Sequence, residues 1–299
     1  MADVVAAAAG DLAAPPPRDG ALLAVAIAGV SFSGPLMAAT AAPALAIALW
    51  RNVFGAGVTA FAVREVHVGA RAWGLAGLAG VALAVHFGTW VPSLTMTSVA
   101  SATALVGTQP IFAGLLATLA GRTLPRIAWV GIGVATLGAA LVAGADVSVS
   151  LRTFAGDLLA LAGGAAAAVY VTIGAAARVR MSTATYTTAC YASCAALLLI
   201  VCAVGGVHVT GFSGNAWLKI VLVTVCAQLL GHTLINVVLH STSPTVVSLA
   251  LLLETPGAAL VAYLWLHQRP PASALPGIAL LLGGLALVVR GRGTPADID

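Results

Sequence analysis

The chain has 299 residues, 61% hydrophobic and 7% charged, against about 25% charged in ordinary soluble domains. A soluble fold of this length cannot hide that much apolar surface, so lipid must be the solvent for most of the chain. The net charge of +4 is small and scattered; it argues against nucleic-acid binding and leaves the basic residues as topology signals.

Residues 1–20 are alanine-rich, carry Asp3, Asp11 and Asp19, and hold Pro15-Pro16-Pro17. No basic segment precedes an apolar core, so this stretch reads as a disordered cytoplasmic tail rather than a signal peptide. Runs long enough to cross a bilayer (about 20 apolar residues) follow at 22–41, 44–63, 72–91, 97–119, 127–144, 155–176, 185–205, 216–237, 245–266 and 273–290. Residues 293–299 form a second polar tail. The breaks are short and carry Arg64-Glu65, Arg122, Arg178, Asn215 and Arg269-Pro270-Pro271. None holds a soluble domain. The fold class expected is an all-α integral membrane protein of ten transmembrane helices, with residues 21–150 as one five-helix repeat and 151–292 as the other.

The repeat is visible in the residues. Shifted by 146, the stretch 243–289 aligns with 97–143 without a gap. Pro110 falls on Pro256, Pro125 on Pro271, Gly131 on Gly277 and Gly138 on Gly284. Duplicated hydrophobic halves are a common transporter architecture. With the N-terminus inside, Arg18, Arg64, Arg71, Arg122, Arg126, Arg178, Arg180, Arg290 and Arg292 are cytoplasmic, and only Arg152, Lys219 and Arg269 are outside. That bias places both termini in the cytoplasm. Five spans per half is an odd number, so the second repeat is expected to lie inverted. The preference for arginine over lysine, with abundant alanine, hints at a GC-rich bacterial genome and hence a bacterial plasma membrane.

Polar groups at bilayer depth are costly, about 2.5–3.5 kcal/mol for a charge, so they mark candidate sites. His86, Trp90, Ser93 and Thr97 are spaced 4, 3 and 4 apart and share a narrow helical stripe. Such a stripe suits a wet cavity; an interfacial tryptophan with back-bonded hydroxyls is the alternative. Gln228, His232 and Asn236 form a second stripe of spacing four, lining a cavity or bonding helix to helix. Thr108 and Gln109 precede Pro110, and Glu254 lies two residues before Pro256. Paired interrupted helices point to a binding site. Glu254 is a candidate for carrying protons, or for bonding a neighbouring helix break. Arg51 is open to snorkelling, pairing with a carboxylate or meeting an anionic substrate. Tyr170 is a further candidate.

No phosphate-binding glycine loop and no metal-ligand spacing occur, so no cofactor is expected. Cys190, Cys194, Cys202 and Cys226 lie in apolar runs without a CxxC pair and read as buried hydrophobes. An intramembrane enzyme would need a catalytic cluster that these spacings do not supply.

The segments His86-Phe87-Gly88-Thr89-Trp90-Val91-Pro92-Ser93-Leu94, Gly231-His232-Thr233-Leu234-Ile235-Asn236 and Leu253-Glu254-Thr255-Pro256 resemble the EamA branch of the drug/metabolite transporter superfamily, over all ten helices. The resemblance implies an inverted-repeat secondary exporter of amino acids or other small metabolites, working by alternating access. It also leaves a passive facilitator or lipid flippase on the same fold. It implies partners that are a small-molecule substrate and membrane lipid, with no nucleic acid and no oligomeric state specified. His86 and Trp90, and His232 and Asn236, look like the family's pairs. Thr255 stands between the glutamate and the proline, and Gln268 stands where the family often has a second glutamate.

Overall fold

A computed structural model describes residues 16–65, 68–119, 124–147, 150–238, 242, 250–270 and 272–292. Most of the N-terminal tail, the C-terminal tail, Arg122 and Pro271 lie outside the described residues. Among the described residues there is no strand.

The helices in chain order are α1 (Pro17–Ser31), α2 (Ser33–Ala38), α3 (Ala44–Ala60), α4 (Ala70–Ser93), α5 (Val99–Val106), α6 (Gln109–Leu119), α7 (Arg126–Val147), α8 (Leu151–Arg178), α9 (Thr183–Val204) and α10 (Gly214–Val223). A π-helix (Thr224–Thr233) joins α10 to α11 (Leu234–Val238), and α12 (Glu254–Leu266) and α13 (Leu275–Arg292) complete the chain. Serines set several starts. The side chains of Ser98, Ser150, Ser182 and Ser213 accept from the backbone N–H three residues on, satisfying a donor that the first helical turn leaves unpaired. Pro17 begins α1, where a missing N–H costs nothing.

Among the described residues six helical stretches are long and apolar enough to cross a membrane: Pro17–Ala38, Ala70–Ser93, Val99–Leu116, Leu151–Arg178, Thr183–Val204 and Gly214–Val238. Ala44–Ala60, Arg126–Val142 and Ala272–Val288 are shorter apolar helices. The run expected at 245–266 has its described part in Ala250 and beyond, with α12 starting at Glu254.

The run expected at 97–119 is not one continuous α-helix. It breaks at Gly107-Thr108. Gly107 N donates to Thr103 O and Thr108 N to Leu105 O, both at 3.1 Å. Pro110 has no N–H, so the α-helical donor that Val106 O would receive does not exist. Pro256 does the same to Leu252 O.

The two stretches that carry the sequence repeat pack on each other. In α7 and α13 an added Cβ at Gly131 would lie 2.6 Å from Gly284 O, and one at Gly138 would lie 2.7 Å from Gly277 O. The 146-residue shift converts the first pair of glycines into the second. Without a hydrophobic force between helices in lipid, close backbone approach through small residues supplies the packing energy. The same device joins α4 to α9, where Gly80 faces the Cys190 carbonyl and Ser193, and Ser193 Oγ donates to Gly77 O at 2.9 Å. The outward residues of these helices are large and apolar, among them Leu78 and Val85 of α4, Leu137 of α7, and Leu199 and Ile200 of α9.

Candidate functional site

Where the broken segments meet, a cavity of about 500 Å³ opens between helices. His86 and Trp90 of α4 form one wall. Thr103, Val106, Gly107, Gln109 and Pro110 line it at the first break, and Leu252, Glu254 and Thr255 at the second. Tyr170 and Arg178 come from α8, Tyr186 from α9, His232 from the π-helix and Asn236 from α11. Thr255 Oγ1 donates to Thr103 O at 3.5 Å, linking the two breaks.

His86 is held from behind. Its Nδ1 lies 3.0 Å from Gly163 O; a carbonyl only accepts, so Nδ1 carries the proton. A neutral ring then keeps Nε2 as an acceptor. The imidazole stacks on Trp90 at 5.5 Å and 22°. The glycine at 163 makes this possible, since a Cβ there would come 3.0 Å from Trp90 Cβ. His232 stands edge-on to Phe87 at 5.9 Å and to Tyr170 at 6.5 Å. Asn236 Nδ2 donates to His232 O at 2.7 Å and to Tyr170 Oη at 3.4 Å. The result is an aromatic chamber with a few aimed polar groups and one carboxyl group, Glu254.

The expected stripe Gln228–His232–Asn236 is divided. His232 and Asn236 line the cavity, whereas Gln228 turns to Arg51. The π-helix explains the split. Its hydrogen bonds run five residues back, so a spacing of four falls short of a full turn. Thr233 Oγ1 marks the geometry by donating to Gln228 O at 3.0 Å.

Arg51 does not snorkel; its side chain is fully buried. Nε donates to Gln228 Oε1 at 2.9 Å, and Nη1 reaches Ser33 Oγ at 3.5 Å and Met37 Sδ at 3.6 Å. The guanidinium lies 4.2 Å over the Phe87 ring, and Gln228 Nε2 donates onward to Asn52 Oδ1 at 3.1 Å. Ser93 and Thr108 are buried but do not line the cavity. Ser93 Oγ donates to Trp90 O and Thr108 Oγ1 to Leu105 O, both at 2.6 Å. Pro256 faces outward.

Sequence reasoning passed over Arg178, Tyr186, Thr103 and Thr255 as lining groups. Arg178 ends α8, where a basic residue reads as a topology signal; it donates to Met181 O at 2.7 Å. Tyr186 lies in the first turn of α9, where an aromatic reads as a membrane-interface anchor. At the same end, Glu65 Oε1 accepts from Ser182 N at 2.8 Å. Hydrogen bonding from Thr185, then from Ser182, with the Arg178 charge nearby, holds the Glu65 carboxyl below its ordinary value. Among the described residues no three His, Cys, Asp or Glu side chains gather as metal ligands.

Apolar helices around an interior chamber define a multi-pass membrane protein of the transporter kind. The model of the EamA-like transporter family matches residues 20–144 and 154–290, two copies along the chain. The chain belongs to that family, within the drug/metabolite transporter superfamily. A solved structure described only as a protein crystal structure is similar in fold, with a TM-score of 0.64 and 19% identity over 91% of this chain and 96% of that one. No curated protein matches the chain.

Proposed function

We propose that the chain is a secondary exporter of small metabolites, amino acids or drug-like compounds, in a bacterial plasma membrane. Ten spans in two inverted five-helix repeats alternate access to the cavity, with both termini cytoplasmic and Glu254 as the candidate for proton coupling. The observation that carries this reading is the cavity itself. It lies where two proline-broken segments, one from each repeat, meet, which is where inverted-repeat transporters hold their substrates. The inversion is supported by the α7–α13 contact: exchanging the repeats maps the Gly131–Gly284 pair onto Gly277–Gly138.

In this topology the cavity reaches the cytoplasmic helix ends at Arg178, Val179 and Tyr186. The outer ends are tied together. Lys219 Nζ donates to Ala39 O at 2.7 Å, Arg152 to Thr95 O at 3.2 Å and Trp50 Nε1 to Val209 O at 2.6 Å. This arrangement fits an inward-facing state. A flippase would present a polar groove to lipid, and the outward apolar faces of α4 and α9 favour the exporter.

The test is counterflow in proteoliposomes, with preloaded amino acids and aromatic drugs and an imposed pH gradient. Accelerated exchange of any one compound, lost in Trp90→Ala, supports export chemistry. Exchange of lipid alone, with every soluble solute inert, would sink it.

A further inference from the structure

Arg51 and Glu254 share no hydrogen bond among the described residues, yet both border the cavity: Arg51 Nη1 reaches Ser33, and Ser33 and Glu254 line it. They come from different repeats. Arg51 sits one side-chain layer behind the cavity wall. Its Nη1 reaches Ser33, which lines the cavity, and its aromatic support Phe87 touches His232, which also lines it. Its cradle is neutral throughout: Gln228 amide oxygen, Ser33 hydroxyl, Met37 sulfur and the Phe87 face. Nη2 is buried without a hydrogen-bond partner among the described residues. A guanidinium stays charged, so this cradle solvates the charge and leaves it uncancelled.

The other titratable groups around the cavity do not supply the missing charge. His86 and His232 carry none when neutral, and Tyr170 and Tyr186 are phenols. Arg178 lies at the mouth, beside Glu65 on the exposed loop. Among the described residues the charges left deep in the chamber are Arg51 and Glu254, of opposite sign across low-dielectric space.

We propose that Arg51 is the fixed counter-charge of Glu254, so that neutralising the carboxyl group turns the cavity into a site for an anionic group. With Glu254 ionised, the two charges cancel and the chamber is neutral. When Glu254 takes up a proton, or is replaced by an amide, Arg51 is left as a buried positive charge. A carboxylate or phosphate ester entering past Ser33 restores neutrality. This rests on the reading of the cavity as a substrate chamber, and it narrows the substrate to molecules with an anionic group that bind together with a proton.

Thermal unfolding of the purified protein in detergent tests this without any transport. Arg51→Met should lower the melting temperature, and adding Glu254→Gln should recover most of that loss, because the unpaired carboxylate is removed with its partner. A role confined to holding Gln228 predicts no such recovery, and Gln228→Leu would then reproduce the Arg51→Met loss. Benzoate, benzylamine and benzyl alcohol serve as probes of matched size. Glu254→Gln should be stabilised by benzoate at concentrations at least tenfold lower than wild type requires at neutral pH, with no gain for the other two. Arg51→Met/Glu254→Gln should lose that gain. If Arg51→Met alone does not assemble, assembly of the double variant is itself the recovery. Additive losses in the double variant, or equal responses to benzoate and benzylamine, would overturn the proposal. Solute exchange in vesicles would still stand on its own, and its failure would leave the charge pair measurable.

Discussion

At the scale of single residues, His86 shows how a buried polar side chain in lipid is made usable. Its Nδ1 proton is committed to Gly163 O, which orients the ring and fixes the free nitrogen as an acceptor. His86→Phe keeps an aromatic on Trp90 but removes both polar functions. The expected loss is about 1 kcal/mol of stability for the hydrogen bond, with roughly tenfold weaker binding of any ligand that donates to Nε2, equivalent to about 1.4 kcal/mol. Paired unfolding and ligand titrations check this; equal ligand affinity in the variant would remove His86 from the binding set. Glu65 gives a pH dependence outside the membrane. Its folded carboxyl is held down by Thr185, Ser182 and Arg178 from an ordinary value of 4.5. A depressed carboxyl group contributes stability in full above its unfolded value and loses it as pH falls through the folded one. The melting temperature of wild type should therefore exceed that of Glu65→Gln at neutral pH, and the gap should close in acid below about 4.5. A gap that widens in acid would show the sign to be wrong.

At the scale of elements, two devices organise the bundle: glycine contacts and proline breaks. An alanine at Gly138 would drive its Cβ into the backbone of Leu281 and Gly277, which cannot move aside as a flexible side chain would. Gly133, on the same helix but off this contact face, has nothing within 4 Å. Gly138→Ala should cost about 1–3 kcal/mol by overpacking, and Gly133→Ala should be neutral or gain up to about 1 kcal/mol of helix propensity. Melting temperatures of the two variants decide it, and similar losses at both positions would mean that α7 and α13 do not meet as described. Pro110 acts oppositely. Pro110→Ala returns an N–H to the segment, so α5 and α6 should join, stability should rise and ligand exchange should fall. The membrane-length helices among the described residues were legible because breaks such as Arg64-Glu65 and Arg178 separate apolar runs, and Pro110 announced the interruption after α5. The division of Gln228 from His232 was not legible. It depends on a π-helix whose residues, Thr224–Thr233, carry no local signature that separates them from an α-helical run. Arg178 and Tyr186 were missed for a different reason: end-of-helix arginine and tyrosine have an ordinary interfacial role, and only tertiary packing shows that these two face inward.

At the scale of the whole molecule, the asymmetry between the two ends of the bundle carries the conformational argument. The cavity extends to Arg178 and Val179 at one end. At the other, Trp50 packs edge-on against Trp217 at 5.1 Å, Phe212 joins Trp217 at 5.4 Å, and the Trp50 and Lys219 side chains each donate to a carbonyl on a neighbouring segment. In the alternating-access cycle proposed above both ends open in turn, which requires that these bonds be worth little enough to break thermally. A single hydrogen bond contributes about 1 kcal/mol net. Trp50→Phe removes the indole N–H while keeping a ring, and Lys219→Met removes the ammonium while keeping the stem. Together they should shift the balance toward the outward-open state by about 2 kcal/mol, roughly a factor of 30 in population. A cysteine at Thr103, which lines the cavity, reports the shift once Cys190, Cys194, Cys202 and Cys226 are replaced. With the clamp intact, Thr103→Cys should react with a membrane-impermeant maleimide mainly from the Arg178 side. With both substitutions, labelling from the opposite side should rise by an order of magnitude while labelling from the Arg178 side falls. Unchanged labelling from both sides would mean that the aromatic cluster and the lysine tie are static packing, and that the closure opposing this cavity lies elsewhere in the bundle.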